Sequence, residues 1–262
     1  MMEPVGPFTA DQLVPGARYE LVQGHPVYQA ATGGDGATTI AVGATALGSD
    51  PQADGVGIDA GYVLNNKNVR APDIAVGNVP DARGFISGAP LLAVEYAGEH
   101  QDEVKLQEKI VEFLDLGTRL IWVVRIIGPR RVEIYEKDKP VTLAGPGQLL
   151  SAPGILSAPL PVEALFDRSA SNRVALKNLL LQQGYGSVDE IREEGRQEER
   201  AGLCRSLRNN ILLLLERRGL DSTAQLRSWL DGVTDPSKLA WVMATAGTCG
   251  RVEDLYAIET PR

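Results

Sequence analysis

The feature that most constrains this chain is a helical pattern enclosed by two apolar runs. Residues 91–96 and 120–126 are almost continuously apolar, as expected for strands that are buried on both faces. Between them, residues 102–116 carry apolar side chains at helical spacing, and Gly117 follows as a stop signal. A strand–helix–strand order predicts that the two strands are parallel and joined by a right-handed crossover.

The rest of the first half indicates hairpins. Residues 18–28 resemble a hairpin with its turn at Gln23-Gly24, and residues 132–135 are the expected antiparallel partner of residues 120–126. The patterns also predict strands over 58–64 and 69–76. Residues 38–47 are small and apolar, and they leave helix and strand both open. The prediction is an α/β (α+β) fold, with a mixed β-sheet core flanked by helices.

The composition changes from about residue 170, after which no strand pattern returns. Ser187 to Glu190 forms a capping box, and Asp235-Pro236 is a typical helix start. Between these signals, the charged stretch 189–200 indicates a solvated helix. We therefore predict a domain over residues 1–168 and an all-helical C-terminal extension over residues 169–262.

Composition excludes several classes of function. A net charge of -8 argues against a protein that coats nucleic acid through bulk charge. The two histidines, His25 and His100, are too few for a histidine-rich zinc site, and Cys204 and Cys249 are far apart in sequence. These cysteines are typical of free thiols in a reducing compartment. With no signal-peptide pattern and no membrane-length apolar run, a cytoplasmic protein without a membrane partner is expected.

Three residues in the central segment suggest chemistry. Asp73 opens an apolar run, Glu95 lies near the end of another, and Lys109 lies in the helix that follows Glu95. Two carboxylates suit a hard cation such as Mg²⁺, which completes its shell with waters and phosphate oxygens. A nearby ammonium group can orient the attacking water or stabilise developing negative charge.

Each of these residues taken alone is more often structural. A Pro-Asp dipeptide commonly makes a turn, and a lysine on a helix commonly faces solvent. Lys105, one helical turn before Lys109, is an alternative source of the ammonium group. A phosphate-contacting rim could be formed by basic residues in two hairpins, although solvated hairpin ends are the more common outcome. These residues are Lys67, Arg70, Arg130, Arg131, Lys137 and Lys139.

The ordered set of motifs resembles the Uma-two family of restriction endonucleases, within the PD-(D/E)XK nuclease superfamily. The resemblance covers about residues 15–166 and is carried by five segments. They are Tyr19-Glu20-Leu21-Val22, residues 69–76 around Pro72-Asp73, Val94-Glu95-Tyr96-Ala97, Lys109 with Phe113 and Gly117, and residues 120–124. The resemblance implies a restriction-endonuclease-like core that binds Mg²⁺ or Mn²⁺. Asp73, Glu95 and the main-chain carbonyl of Tyr96 would be the ligands. Glu20 matches a further acidic residue of the family's site, and its alternative is a surface carboxylate on a hairpin.

The same resemblance implies where the lysine comes from. The usual superfamily position is Ala97 here, and the family instead supplies the lysine from the following helix, at Lys109. Three family features are replaced: the Ser-Pro loop after the glutamate by residues 98–101, an acidic residue by Lys105, and an Asp-Pro pair by Arg125-Ile126.

The expected function is a Mg²⁺-dependent endodeoxyribonuclease that hydrolyses DNA phosphodiester bonds. The alternative is a nuclease-like module that does not cut and serves in binding or oligomerisation, with a homodimer formed through the core or the helical tail. A third alternative is an unrelated α/β protein in which Asp73 and Glu95 lie far apart.

Overall fold

The structure of the protein is a computed structural model that describes residues 6–99 and 102–256. The chain divides into two compact units, Met1–Gly184 and Tyr185–Arg262. The boundary therefore follows the helix Arg168–Gln182, whereas the sequence predicts that these residues belong to the extension. This helix belongs to the first unit because Ser171 Oγ donates a hydrogen bond to the carbonyl of Val42 and Asn178 Nδ2 donates one to Ser49 Oγ.

The described residues contain thirteen strands, six α-helices and three short 3₁₀ turns. The strands are β1 Tyr19–Val22, β2 His25–Tyr28, β3 Val56–Ile58, β4 Tyr62–Asn65, β5 Asn68–Arg70, β6 Ile74–Val76, β7 Ile86–Ser87, β8 Leu92–Ala97, β9 Leu120–Arg125, β10 Arg131–Tyr135, β11 Thr142–Ala144, β12 Leu149–Leu150 and β13 Leu160–Pro161. The helices are α1 Gly34–Gly48, α2 Glu103–Asp115, α3 Arg168–Gln182, α4 Val188–Arg217, α5 Ala224–Gly232 and α6 Pro236–Ala246. The 3₁₀ turns are Ala10–Gln12, Val162–Leu165 and Val252–Leu255.

The main sheet of the first unit has the strand order β11-β10-β9-β8-β6-β3. Strands β8 and β9 are parallel, with Glu95 opposite Val123, and α2 connects them, as the sequence predicted. The other neighbours in this sheet are antiparallel. The mixed sheet flanked by helices is thus confirmed.

A second sheet, ordered β2-β1-β5-β4-β7, corrects two strand predictions. The predicted strand over 58–64 is two strands, because β3 lies in the main sheet and β4 in the second one. The predicted strand over 69–76 is likewise split into β5 and β6. Asp59 has a left-handed φ of 53°, and Pro72 cannot donate a ladder hydrogen bond, so extended pairing stops at both places.

The two faces of the main sheet are covered by different helices. One face packs against α1, in a cluster that includes Ile40, Leu47 and Val94. The other packs against α2, in a cluster that includes Ala93, Ile110 and Phe113. Residues 38–47, which left helix and strand open, are therefore helical because they fill the layer on the first face.

The second unit consists of helices within its described residues, as predicted. Ser187 caps α4, and its hydroxyl accepts a hydrogen bond from the N–H of Glu190. Asp235 caps α6, where Pro236 takes the first position. The core of this unit is a cluster of apolar side chains from α4, α5 and α6 that includes Ile211, Leu230 and Val242.

Each unit has its own core, and this leads to a testable prediction. The clustered residues of the first unit end at Val174, and those of the second begin at Cys204. A chain that ends at Gly184 is therefore expected to keep a cooperative urea unfolding transition, measured by near-ultraviolet circular dichroism. A gradual, non-cooperative loss of signal in this fragment would contradict independent folding of the first unit.

Candidate active site

A row of carboxylates crosses three strands of the main sheet. In β6 and β8, Ile74 pairs with Val94, so the next residues along the register are Asp73 and Glu95. In β3 and β6, Ile58 pairs with Ile74, so Asp59 falls beside Asp73 in the same way. The N–H of Asp59 donates to the carbonyl of Asp73 over 3.3 Å, which supports this register.

The row faces the helix α2. Alternate residues of a strand share one face, and Ala93 and Ala97 of β8 pack in the cluster that contains α2. Glu95 lies between these alanines in the alternation and therefore points to the same side. The sequence had identified Asp73 and Glu95 but not Asp59.

Helix α2 brings Lys109 to this row. The cap of α2 is Asp102, whose side chain accepts hydrogen bonds from the N–H groups of Val104 and Lys105. One face of the helix is buried by Leu106, Ile110 and Phe113. This packing places Lys109 beside the sheet. Its Nζ lies 2.8 Å from Glu95 Oε1 and donates a 2.7 Å hydrogen bond to the carbonyl of Ala71.

Burial and mutual repulsion make this row costly when it is charged. Burial, with a smaller contribution from Asp73, raises the pKa of Glu95 to about 8. Burial also raises the pKa of Asp73, and that of Asp59 at the solvent end of the row. Glu95 is 8% exposed, and its Oε1 has the nearby ammonium but no well-directed hydrogen-bond donor. Three carboxyl groups thus share a single lysine, and ionising all of them together is costly.

Lys109 remains a cation in this environment. Burial alone would lower the pKa of its ammonium group, but the carboxylates of Glu95, Glu20 and Asp73 outweigh burial and raise the pKa above its ordinary value. A lysine in this state is a hydrogen-bond donor and a point charge, and it does not act as a base.

Lys105 occupies a different place. Its side chain is 65% exposed and forms an ion pair with Asp102, at 3.5 Å, at the start of α2. Of the two lysines that the sequence left open, the structure brings only Lys109 to the carboxylate row.

Most of the basic residues that the sequence suggested for a phosphate-contacting rim have other partners. Arg70 is buried with acidic partners and cannot contact a phosphate from outside. Three others are paired with acids: Arg131 with Glu133, Lys137 with Asp115 and Lys139 with Glu136. Arg130 stacks over the ring of Phe166, and Lys67 is exposed at a turn.

Glu20, on β1, lies beside the row and is engaged by two cations. Its Oε2 is 3.1 Å from Arg70, and its Oε1 is 3.5 Å from Lys109 Nζ. Oε1 also accepts a 3.0 Å hydrogen bond from the N–H of Ala71.

Tyr96 is held at both its main chain and its side chain. Its N–H donates a 2.6 Å hydrogen bond to Asp73 Oδ2, so it fixes one carboxylate of the row. Its hydroxyl donates a 2.8 Å hydrogen bond to the carbonyl of Leu165 on the opposite face of the sheet. Gly43 of α1 approaches this hydroxyl so closely that a Cβ at residue 43 would collide with it.

Gly43→Ala is therefore expected to destabilise the protein, although alanine is the better helix former by about 1 kcal/mol. The collision meets a hydroxyl that is held by Leu165, and such overpacking costs about 1–3 kcal/mol. Tyr96→Phe removes the colliding atom, so Gly43→Ala should cost less in the Tyr96→Phe background. Urea unfolding of the four proteins of this cycle measures the coupling, and strictly additive effects would contradict it.

The metal-binding prediction can be compared with the donors present. Among residues 6–99 and 102–256, no three Asp, Glu, His or Cys side chains form a group that could hold a metal ion by themselves. The central part of the predicted set, two carboxylates and one main-chain carbonyl, is not such a group, and the three carboxylates that result when Glu20 is added do not form one among the described residues. In the loop 98–101, which replaces the Ser-Pro loop of the family, His100 and Gln101 lie outside the described residues.

Sequence reasoning missed three residues around the row. The sequence pattern predicts that Asp59 belongs to a strand and that Arg70 lies at the surface, and it indicates no role for Glu112. The available signal was weak: Gly61 interrupts the apolar pattern just after Asp59, and Glu112 lies three residues after Lys109 on the same helical face.

Comparisons with known proteins bear on this arrangement. A family model described as "Putative restriction endonuclease", Uma2, matches residues 9–163. A crystal structure of a putative nuclease belonging to DUF820 from Anabaena variabilis is similar in fold, with a TM-score of 0.53 and 20% sequence identity. The similarity covers 63% of this chain and 99% of that one. No curated protein matches the chain significantly. No described helix combines the length and the hydropathy that a membrane span requires.

Proposed function

The chain belongs to the Uma2 family of putative restriction endonucleases, and we propose that it hydrolyses phosphodiester bonds of DNA with Mg²⁺ or Mn²⁺ as cofactor. The observation that carries the proposal is the ammonium of Lys109, held 2.8 Å from Glu95 beside the row that contains Asp73. These residues come from a strand end, a second strand and a helix, and they meet on one face of the sheet.

The donor set fits a hard divalent cation. Asp73 and Glu95 supply carboxylate oxygens, and the carbonyl of Tyr96 is the candidate third donor. Mg²⁺ needs only one or two protein carboxylates, because waters and substrate phosphate oxygens complete its shell. The raised pKa of Glu95 and its poorly satisfied Oε1 also fit, because a bound cation would offset both the repulsion and the lost hydration. When bound, such an ion acidifies water and neutralises charge on the phosphoryl group.

The residues of the chain then have separate roles. Asp73 is oriented by the N–H of Tyr96, which presents its carboxylate to the same side as Glu95. Lys109 is fixed by the carbonyl of Ala71 and stays protonated, so it can orient the attacking water and stabilise charge that develops on the phosphate.

A plasmid assay tests this function. The full chain with Mg²⁺ or Mn²⁺ is expected to nick or linearise supercoiled DNA, with no cleavage in EDTA. Asp73→Asn keeps the size of the side chain but removes its charge, and it should abolish cleavage. Asp54→Asn, an exposed aspartate in the loop before β3, is the matched control and should cleave normally. Equal cleavage by Asp73→Asn and the unsubstituted protein would reject the site.

A nuclease-like module that binds without cutting is the second candidate. It is favoured by the net charge of -8 and by the acidic partners of Arg131, Lys137 and Lys139, which compete with a DNA backbone for these cations. Tight Mn²⁺ binding that is lost in Glu95→Ala, measured by calorimetry, would count against this candidate.

A further inference from the structure

A chain of alternating charges runs from α2 back to Glu95. Arg70 Nε donates a 2.6 Å hydrogen bond to Glu112, and Arg70 Nη1 lies 3.1 Å from Glu20. Glu20 is 3.5 Å from Lys109, which is 2.8 Å from Glu95. Carboxylates and cations thus alternate at every step.

We propose that Arg70 and Glu112 are positioning residues which, through Glu20, fix the ammonium of Lys109 in front of Glu95. This inference rests on the proposed function, because it concerns how the lysine of that site is held. It assigns Glu20 to the lysine and not to the cation.

The placement of Arg70 excludes a direct role in phosphate binding. The residue is 4% exposed, and its guanidinium is shared between Glu20 and Glu112. A guanidinium gives its most favourable contact when both branches of the fork meet one carboxylate. Here the fork is divided, and Nη2 is buried without a hydrogen-bond partner. The divided contact joins two elements, β1 and α2, and it leaves one nitrogen of the guanidinium without a hydrogen bond.

One end of this contact, Glu20, lies 3.5 Å from Lys109, and the other end, Glu112, is on the same helix as Lys109. Glu112 lies on α2 three residues after Lys109, so the two side chains share one face of the helix. Ala71 contacts both Lys109 and Glu20, because its carbonyl accepts from Lys109 and its N–H donates to Glu20. Helix α2 is therefore tied to β5 through Glu112 and to Ala71 through Lys109, two residues one helical turn apart.

The oxygens of Glu20 are already engaged. Oε2 faces Arg70, and Oε1 accepts from Ala71 and faces Lys109. A divalent cation would have to compete with both positive side chains for these oxygens. If Glu112 lost its charge, Arg70 could take both oxygens of Glu20, and Lys109 would lose one of its carboxylate neighbours.

Ammonium signals of ¹⁵N-lysine-labelled protein test the proposal directly. Lys109→Met assigns the Lys109 signal in the full chain. Glu112→Gln, which keeps the side-chain shape, and Arg70→Met should shift or broaden that signal. Glu108→Gln, on the exposed side of the same helix, is the matched control and should leave it unchanged. If Arg70→Met does not fold, Glu112→Gln alone decides.

Metal affinity and cleavage supply the second readout. Glu112→Gln and Glu20→Gln should bind Mn²⁺ within about threefold of the unsubstituted protein, whereas cleavage should fall about 10- to 100-fold, as for other residues that orient a reactive group. An unchanged Lys109 signal in Glu112→Gln, or Mn²⁺ affinity lost in Glu20→Gln as fully as in Glu95→Gln, would overturn the proposal. The ammonium signals can be measured whether or not the protein cuts DNA. Absence of cleavage would therefore reject the proposed function, while the signals would still test the positioning role.

Discussion

Lys109→Met is expected to reduce DNA cleavage by about 10²- to 10³-fold, the usual loss when a preorganised donor to a developing charge is removed. Methionine keeps most of the apolar length of lysine but has no ammonium group to face Glu95. The candidate metal ligands remain, so Mn²⁺ binding should persist. Single-turnover cleavage and calorimetric titration on the same preparation separate the two effects.

The same substitution one turn earlier is the control. Lys105 is 65% exposed and pairs with Asp102 at the start of α2, so Lys105→Met should change cleavage by less than about twofold. A loss in Lys105→Met equal to that in Lys109→Met would contradict the assignment. So would full activity in Lys109→Met.

Lys109→Met should also lower stability in the absence of metal. Its partner Glu95 is buried, and removing one member of a buried ion pair typically costs about 3–5 kcal/mol. The assay temperature must therefore lie well below the unfolding transition of the variant, which circular dichroism establishes.

The central part of the fold could be predicted because its signals are local. The buried strands β8 and β9 and the helix between them each show their own period, and a crossover of this length leaves the parallel arrangement as the favoured solution. The same local reasoning failed at Asp59 and at Pro72. At each of these residues, one predicted strand is divided into two strands that belong to different sheets. The hydrophobic pattern alone does not show which sheet a strand joins.

The site, like the fold, has residues that the sequence predicts and residues that it does not. Asp73 and Glu95 could be placed together because both lie at the ends of apolar runs in neighbouring strands. The partners of Arg70 could not be predicted, because Glu112 and Glu20 are 42 and 50 residues away in sequence. A charged residue in a hairpin is normally solvated, and only the packing of α2 against β5 shows that this arginine is buried.

Glu95→Gln is expected to abolish cleavage and to remove the stabilisation that Mn²⁺ gives to the unsubstituted protein. Glutamine keeps the shape of the side chain but lacks the charge that a cation requires. A ligand that binds only the folded state stabilises it by about 2.7 kcal/mol at one hundred times its dissociation constant, so the loss should be clear in thermal unfolding.

In EDTA, the same variant is expected to change how stability depends on pH. The pKa of Glu95 is about 8 in the folded protein, against an ordinary value of 4.5. Between these two values the folded state holds a proton that the unfolded state has lost, so stability falls as pH rises from about 4.5 to 8. Glu95→Gln removes this contribution, and the variant should therefore lose less stability than the unsubstituted protein over this range.

Glu133→Gln is the control of opposite sign for that measurement. Glu133 is as buried as Glu95, at 8% exposure, but hydrogen bonds from Arg125 overcome the effect of burial and lower the pKa of its carboxyl group. Its charged form stabilises the folded state above the ordinary pKa, and this contribution is lost as pH falls through the folded-state value. Glu133→Gln should thus lower stability at pH 8, where Glu95→Gln relieves a cost. If the stability of the two variants changes with pH in the same direction, the charge of Glu95 does not have the energetic cost that a bound cation would offset.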